Sequence, residues 1–365
     1  MGMNALVMIT GIFSVYVFIE VTAVASFILM AINRERRALE AAFKYLIISS
    51  VASLFMLFGI GMLFLISGDT TFAATAAALN SSGASGFAKF GVAIFVAGLL
   101  IKSGVIPFHG WLPDAYQAAP RSVSVFLAGI VTKISGVYVL MRLVYSVFGL
   151  SPRIQAVLMF FGAASIVLGA VAAIGQKDLK RMLAYSSVSQ VGYIVLSVGC
   201  GTPIGILGAV FHFFNHAVFK SLLFVNAAAL EEKLGTTDMS RMGGLGSKMP
   251  VTSFTSIVGF LSTGGIPPLS GFWSKLIIIL ALWTAGHYAY AVLAVVASAL
   301  TLSYFVIMQK KIFFGKTKPE LEGVTEPGMA VLIPEIALAA ITIIVGLAFP
   351  LVMNNLMMPA ANILR

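Results

Sequence analysis

Ten long apolar runs leave this chain almost no choice of fold. They cover residues 5–32, 41–67, 90–113, 122–148, 154–174, 182–201, 204–229, 251–283, 289–314 and 328–351. Each is near or above the ~20 residues that cross a hydrocarbon core as a helix. In lipid, every backbone polar group must find its partner within the protein, which restricts such runs to helices. The expected fold class is therefore an all-α polytopic membrane protein with about ten transmembrane helices. With 59% hydrophobic and 10% charged residues, the chain lacks the charge that a water-exposed surface of 365 residues requires. The first run is too long for a secretory h-region and has no basic flank, so it reads as a retained span.

A net charge of +10 would suit nucleic acid, but the placement of the charges points to a membrane instead. Arg34, Arg36, Arg37, Arg121, Lys177, Lys180, Arg181, Lys233, Arg241, Lys248, Lys310, Lys311, Lys316 and Lys318 follow odd-numbered spans, 14 of the 23 Lys and Arg. Only Lys89, Arg142, Arg153 and Arg365 lie toward the other side. By the positive-inside rule the odd-span loops are cytoplasmic, which predicts a multi-pass protein of the cell membrane with both termini external. The single cysteine, Cys200, excludes a disulfide framework and a four-cysteine cluster. Four histidines without a matching carboxylate set argue against haem or zinc. No cofactor or metal is expected, so any redox chemistry belongs to another subunit.

Two spans carry helix breakers. Pro107 and Pro113 interrupt the third, and Gly264-Gly265-Ile266-Pro267-Pro268 interrupts the eighth. Broken helices persist in a membrane only where the freed backbone faces protein or a hydrated cavity. The two spans are five apart in order and cross in opposite directions. Such a pair signals an inverted repeat with a transport site between its halves. The expected division is a first half over 1–174, a second half with the final helix over 175–351, and a tail over 352–365. Residues 68–86 read as an external loop without chemistry.

Charge inside the spans is the functional signal, because a charged side chain at the bilayer centre costs at least ~2.5–3.5 kcal/mol. Lys102, Lys133, Lys220 and Lys275 all lie within apolar runs, and Glu20 is the deep carboxylate, with Glu335 read as interfacial. Lys44, four residues after Glu40 and near a span end, fits a structural ion pair. His212, His216 and Lys220 recur every four residues along one helix face, with Asn215 beside them. That stripe rises about 12 Å and suits proton hopping through water, although a polar seam between helices would look the same. The histidine pair lacks a third ligand for zinc. His109 follows Pro107 and is a candidate for proton uptake or relay, with a capping or core role as the alternative. Asp114 suits a helix cap or an ion pair.

At these residues a family resemblance emerges. The stretch Lys102-Ser-Gly-Val-Ile-Pro107-Phe-His109-Gly-Trp111-Leu-Pro113-Asp114 resembles the antiporter-like subunits shared by respiratory NADH:quinone oxidoreductase, Mrp-type Na⁺/H⁺ antiporters and energy-converting membrane hydrogenases. Lys177-Asp178-Leu-Lys180-Arg181 through Ser187, Asn215-His216-Ala-Val-Phe-Lys220, and Gly265-Ile-Pro267-Pro268 through Lys275 extend it over nearly the whole chain. Phe126 to Lys133 is most similar to the Mrp and hydrogenase-type members. The resemblance implies that Glu20 and Lys102 form an input ion pair. It places Lys133 and Lys220 on a hydrated central axis and makes Lys275 an exit or relay group. Leu127 stands where many relatives have a histidine, which removes one possible relay. The resemblance also places the family's first four helices before Met1, which predicts an open flank at span one, covered by a helix of a neighbouring subunit against residues 5–32.

Taken together, these features predict a proton- or cation-translocating, antiporter-like subunit of a multisubunit membrane redox complex, with no redox centre of its own. Its expected partners are other membrane subunits, peripheral redox subunits and the lipid bilayer, and not nucleic acid. The rivals are a subunit of a free-standing Mrp-type antiporter and a non-pumping structural subunit of a membrane arm.

Overall fold

The computed structural model describes residues 1–81 and 85–364; Arg365 and residues 82–84 of the 68–86 segment lie outside the described residues. The helices, in order, are α1 (Gly2–Met8), α2 (Ile12–Met30), α3 (Arg36–Ser67), α4 (Phe72–Ser81), α5 (Gly86–Ser103), α6 (Trp111–Ala118) and α7 (Arg121–Phe148). They continue as α8 (Pro152–Ile174), α9 (Leu179–Gly199), α10 (Pro203–Leu234), α11 (Pro250–Gly264), α12 (Ser270–Thr284), α13 (Tyr288–Ile312) and α14 (Met329–Leu347), followed by short helical turns over 349–363. Among the described residues there is no β-strand, only isolated bridges joining Gly11 to Thr71 and Asp178 to Asp238. Among the described residues, nine stretches are long and apolar enough to cross a membrane, one of them α5 with α6. The pair α11 and α12 makes the tenth crossing in two pieces.

Two sequence expectations need correction. The first run does not form one helix: it breaks at residues 9–11, where Ile12 N–H donates to the Thr70 carbonyl and Phe72 N–H to that of Thr10. The 68–86 segment is likewise more than a loop. Asp69 accepts from the Thr70 and Thr71 amides, and the Ala-rich run that follows winds into α4. The tertiary bridge at Gly11 wins over the apolar continuity of 5–32.

Helix α9 lies at the centre, buried along its length except at Arg181 and Tyr185, which are partly exposed. Small residues bring α8 against it: a Cβ at Gly162 would stand 2.6 Å from the Leu196 nitrogen, and one at Gly192 2.7 Å from the Gly162 carbonyl oxygen. Around this pair, α10 packs on α7, α9, α11, α12 and α14, which gives it contact with both halves of the chain.

Candidate functional site

Both breaks are held by protein groups. After α5 the chain turns through Gly104, whose φ of 68° lies in the left-handed region that glycine tolerates best. The Ile106 amide donates to Ser165 Oγ at 2.9 Å, and Trp111 Nε1 donates to the Ile101 carbonyl at 3.2 Å. Between α11 and α12, Gly265 adopts a φ of 84°, the Gly271 amide donates to Ser262 Oγ at 3.1 Å, and Asn215 Nδ2 donates to the Ser270 carbonyl at 3.0 Å. Pro107 lies in the first break, Pro267 and Pro268 in the second. A glycine of another helix abuts each break: Gly136 of α7 against Lys102 and Ser103, and Gly346 of α14 against Pro268 and Ser270. The freed backbone is thus sheltered within protein, as a membrane requires.

Lys102, on the last turn of α5, is 4% exposed, and its Nζ is 2.8 Å from Glu20 Oε1 of α2. Ser49 also accepts from Lys102, and Ser53 donates to the same Glu20 oxygen, so α2, α3 and α5 converge on one pair. Lys133 lies in a part of α7 wound with π-helical turns, 127–131 and 133–138, and its ammonium folds back to donate to the Ala128 carbonyl. Wide turns of this kind often mark functional positions in helices.

The α10 stripe is wholly inside: His212, His216 and Lys220 are each 0% exposed. Lys220 Nζ donates to Ser186 Oγ at 2.7 Å and to the Leu183 carbonyl at 3.2 Å, and Tyr304 Oη donates to Ser186 at 2.8 Å. His212 Nδ1 is 2.9 Å from Ser274 Oγ of the broken α12. The ring nitrogens of His216 meet no protein partner among the described residues. Lys275, one residue beyond Ser274, lies 3.4 Å from Ser298 Oγ and 4.6 Å from the centre of the Tyr193 ring. Lys133 is on α7 and Lys275 on α12, both of which pack against α10. The structure therefore groups Lys133, His212, His216, Lys220 and Lys275 around α10, with Glu20 and Lys102 at the α2–α5 contact. His109 is set apart from the α10 group, half-buried, its ring 5.9 Å from that of Tyr185. Asp114 pairs with Arg181 at 2.7 Å and with Lys44 at 3.1 Å, and Lys44 also reaches Glu40 at 2.8 Å.

Sequence reasoning missed a second buried pair. Lys180, expected in a loop, sits in the first turn of α9, 1% exposed and 2.7 Å from Glu231 of α10. It also donates to the Ala119 carbonyl at 3.1 Å. Glu231 faces an open cleft of about 1210 Å³, lined too by Asp114, Asp178 and Asp238. Hydrogen bonds from the Ser240 hydroxyl and amide hold the Asp238 carboxyl below its usual range. The signal for Lys180 was its position nearly two turns before the polar run Ser186-Ser187, but at a span end a lysine reads as a loop charge. Glu335, near the start of α14, is wholly buried within the protein, 0% exposed.

A bundle of ten apolar crossings, with two interrupted helices and buried lysines beside histidines, defines an antiporter-like membrane subunit. The chain belongs to the family described as NADH:quinone oxidoreductase/Mrp antiporter, TM, whose match covers residues 10–301. It is 38% identical over 321 residues to the NADH-quinone oxidoreductase subunit N of Desulforudis audaxviator, covering 87% of this chain and 62% of that protein. It thus spans less than two thirds of that relative. Its fold matches a chain of the Mrp complex from a Dietzia species with a TM-score of 0.92 and 28% identity, over 100% of this chain and 76% of the other. A chain of the membrane-bound sulfane sulfur reductase, an archaeal respiratory membrane complex, matches with a TM-score of 0.91 and 32% identity, over 99% and 73% respectively.

Proposed function

We propose that this chain is the ion-translocating, antiporter-like subunit of a multisubunit membrane-bound redox complex, moving protons or cations along its buried Lys, Glu and His side chains. The observation that carries the reading is the α10 stripe, in which two imidazoles and an ammonium are sealed inside a bundle that could have been wholly apolar. A buried imidazole with no protein partner needs water or a moving neighbour to satisfy it, and both are what a proton path supplies. At one end, the cleft with Glu231 and Lys180 leads along α9 to Leu183 and Ser186, the groups that hold Lys220. Three to six residues of helix rise only about 5–9 Å. At the other end, His212 passes to Ser274 and Lys275 beside the second break. Glu20 and Lys102 act as a paired input, and His109 as a separate uptake or relay group. The two breaks, one in each part of the chain, support an inverted repeat divided near residue 174.

The chain functions in the cell membrane with both termini outside and with other membrane and peripheral redox subunits around it. Along α2, Phe13, Val17, Val21, Val24 and Ile28 are between 37% and 64% exposed, and the Glu20 side chain is 30% exposed. Lipid covers apolar side chains but cannot solvate a carboxylate, so a helix of a neighbouring subunit packs there.

The test is ion movement in vesicles containing the purified complex. Lys133→Met, Lys220→Met and Lys275→Met are expected to reduce translocation while leaving the subunits assembled. Wild-type transport in Lys220→Met refutes the reading and favours the structural subunit. If ion exchange proceeds without any redox partner, the free-standing antiporter replaces the redox complex.

A further inference from the structure

Glu335 lies on α14, away from the lysine groups, and the path above makes no use of it. It faces Thr252 and Thr255 of α11, Asn226 of α10 and Glu326 of the segment before α14. Glu326 is the only charged group among these neighbours, and no basic side chain is within ion-pair distance among the described residues. Glu326 caps α11: its Oε1 accepts from the Val251 and Thr252 amides, and its Oε2 is 2.8 Å from Thr252 Oγ1. The same Thr252 Oγ1 is 3.1 Å from Glu335 Oε2.

A hydroxyl has one proton and cannot donate to two carboxylates at once. Glu326, which already accepts two amides, takes it at the shorter distance. The contact between Thr252 and Glu335 then lacks a hydrogen unless Glu335 supplies one. Of the remaining donors, Thr255 donates to the Thr252 carbonyl at 3.1 Å and Asn226 Nδ2 spends one of its two hydrogens on Thr255 at 2.9 Å; Glu335 Oε1 accepts from neither. Two oxygens in the cluster, Glu335 Oε1 and Asn226 Oδ1, are buried without a partner. An ionised carboxylate in that setting would be buried beside a second negative charge with no counter-ion.

We infer that Glu335 is a proton-binding site, held as the carboxylic acid and donating to Thr252 Oγ1, at the end of the α10 row where Asn226 lies. Its service as a side branch of the ion path rests on the transport reading; its protonation does not.

Two measurements on the complex in lipid test it. Dicyclohexylcarbodiimide, which modifies protonated carboxyls in apolar surroundings, is expected to label Glu335 and not Glu326 at neutral pH, with a yield that falls as pH rises. Infrared difference spectra are expected to show the carbonyl stretch of a protonated carboxyl that is lost in Glu335→Gln. The wild-type labelling covers the case in which that variant does not fold. The infrared band alone sustains the assignment, because labelling also requires access. Absence of both signals overturns it, as does loss of labelling on adding Na⁺ at constant pH, which would make the site one for sodium. Neither readout needs turnover, so this inference and the transport reading fail separately.

Discussion

Removing the carboxylate of Glu20 should injure the protein more than removing the whole ion pair. Lys102 has a side chain only 3% exposed, and without Glu20 it keeps a single neutral acceptor, Ser49. Stranding one member of a fully buried pair costs about 3–5 kcal/mol. Since Glu20 is 30% exposed, a discounted loss of about 2–3 kcal/mol is expected for Glu20→Leu. Replacing both charges, as in Glu20→Leu with Lys102→Met, should return stability to within about 1 kcal/mol of wild type, because no uncompensated charge remains. At ~2–4 °C per kcal/mol for a domain of ordinary size, and less for a longer chain, the single substitution lowers the midpoint by on the order of 5 °C. The chain carries its own reporter: Cys200, its sole cysteine, is 2% exposed and reacts with thiol reagents only on opening. Peptide mapping of Cys200 labelling against temperature reads the midpoint inside the complex, whatever cysteines its partners bring. Equal destabilisation of the single and double variants, or no effect of the single one, refutes the reasoning.

Gly136→Ala should destabilise the protein by about 1–3 kcal/mol and lower the same midpoint, because its Cβ would stand 2.7 Å from the Ser103 backbone. Gly61→Ala, where nothing lies within 4 Å, serves as the harmless control. Glu231→Gln should destabilise more than Lys180→Met, since the first strands a lysine 1% exposed and the second leaves a carboxylate facing the cleft; the reverse order contradicts the cleft's role. For topology, an impermeant thiol reagent applied outside intact cells should modify Ser81→Cys and spare Lys316→Cys, and the opposite pattern reverses the orientation.

Hydropathy made the crossings legible, and the buried lysines and the two proline breaks stood out because each violates the rule its surroundings obey. What escaped were features decided by distant partners. Glu335 is buried because Thr252, 83 residues earlier, faces it across a helix contact. Lys180 is drawn inside by Glu231, and neither charge looks unusual at the end of a span. The break at residues 9–11 depends on hydrogen bonds to Thr70 and Phe72 that no local pattern announces. The wide turns of α7 were equally hidden, because no proline within 121–148 marks them.

Those wide turns have a consequence for alignment. Each π-turn holds about one residue more than the α-turn it replaces, and one residue of α-helix is about 100° of rotation. From Leu127 to Phe148, α7 passes through three such segments, 127–131, 133–138 and 144–148. A wheel drawn at a constant angle therefore assigns residues beyond Tyr138 to the wrong side, and a relative with a regular helix here would align with a one-residue gap at each wide turn and no loss of span. Insertions and deletions normally belong to loops. In this crossing the slack is stored in the middle of the membrane, beside Lys133.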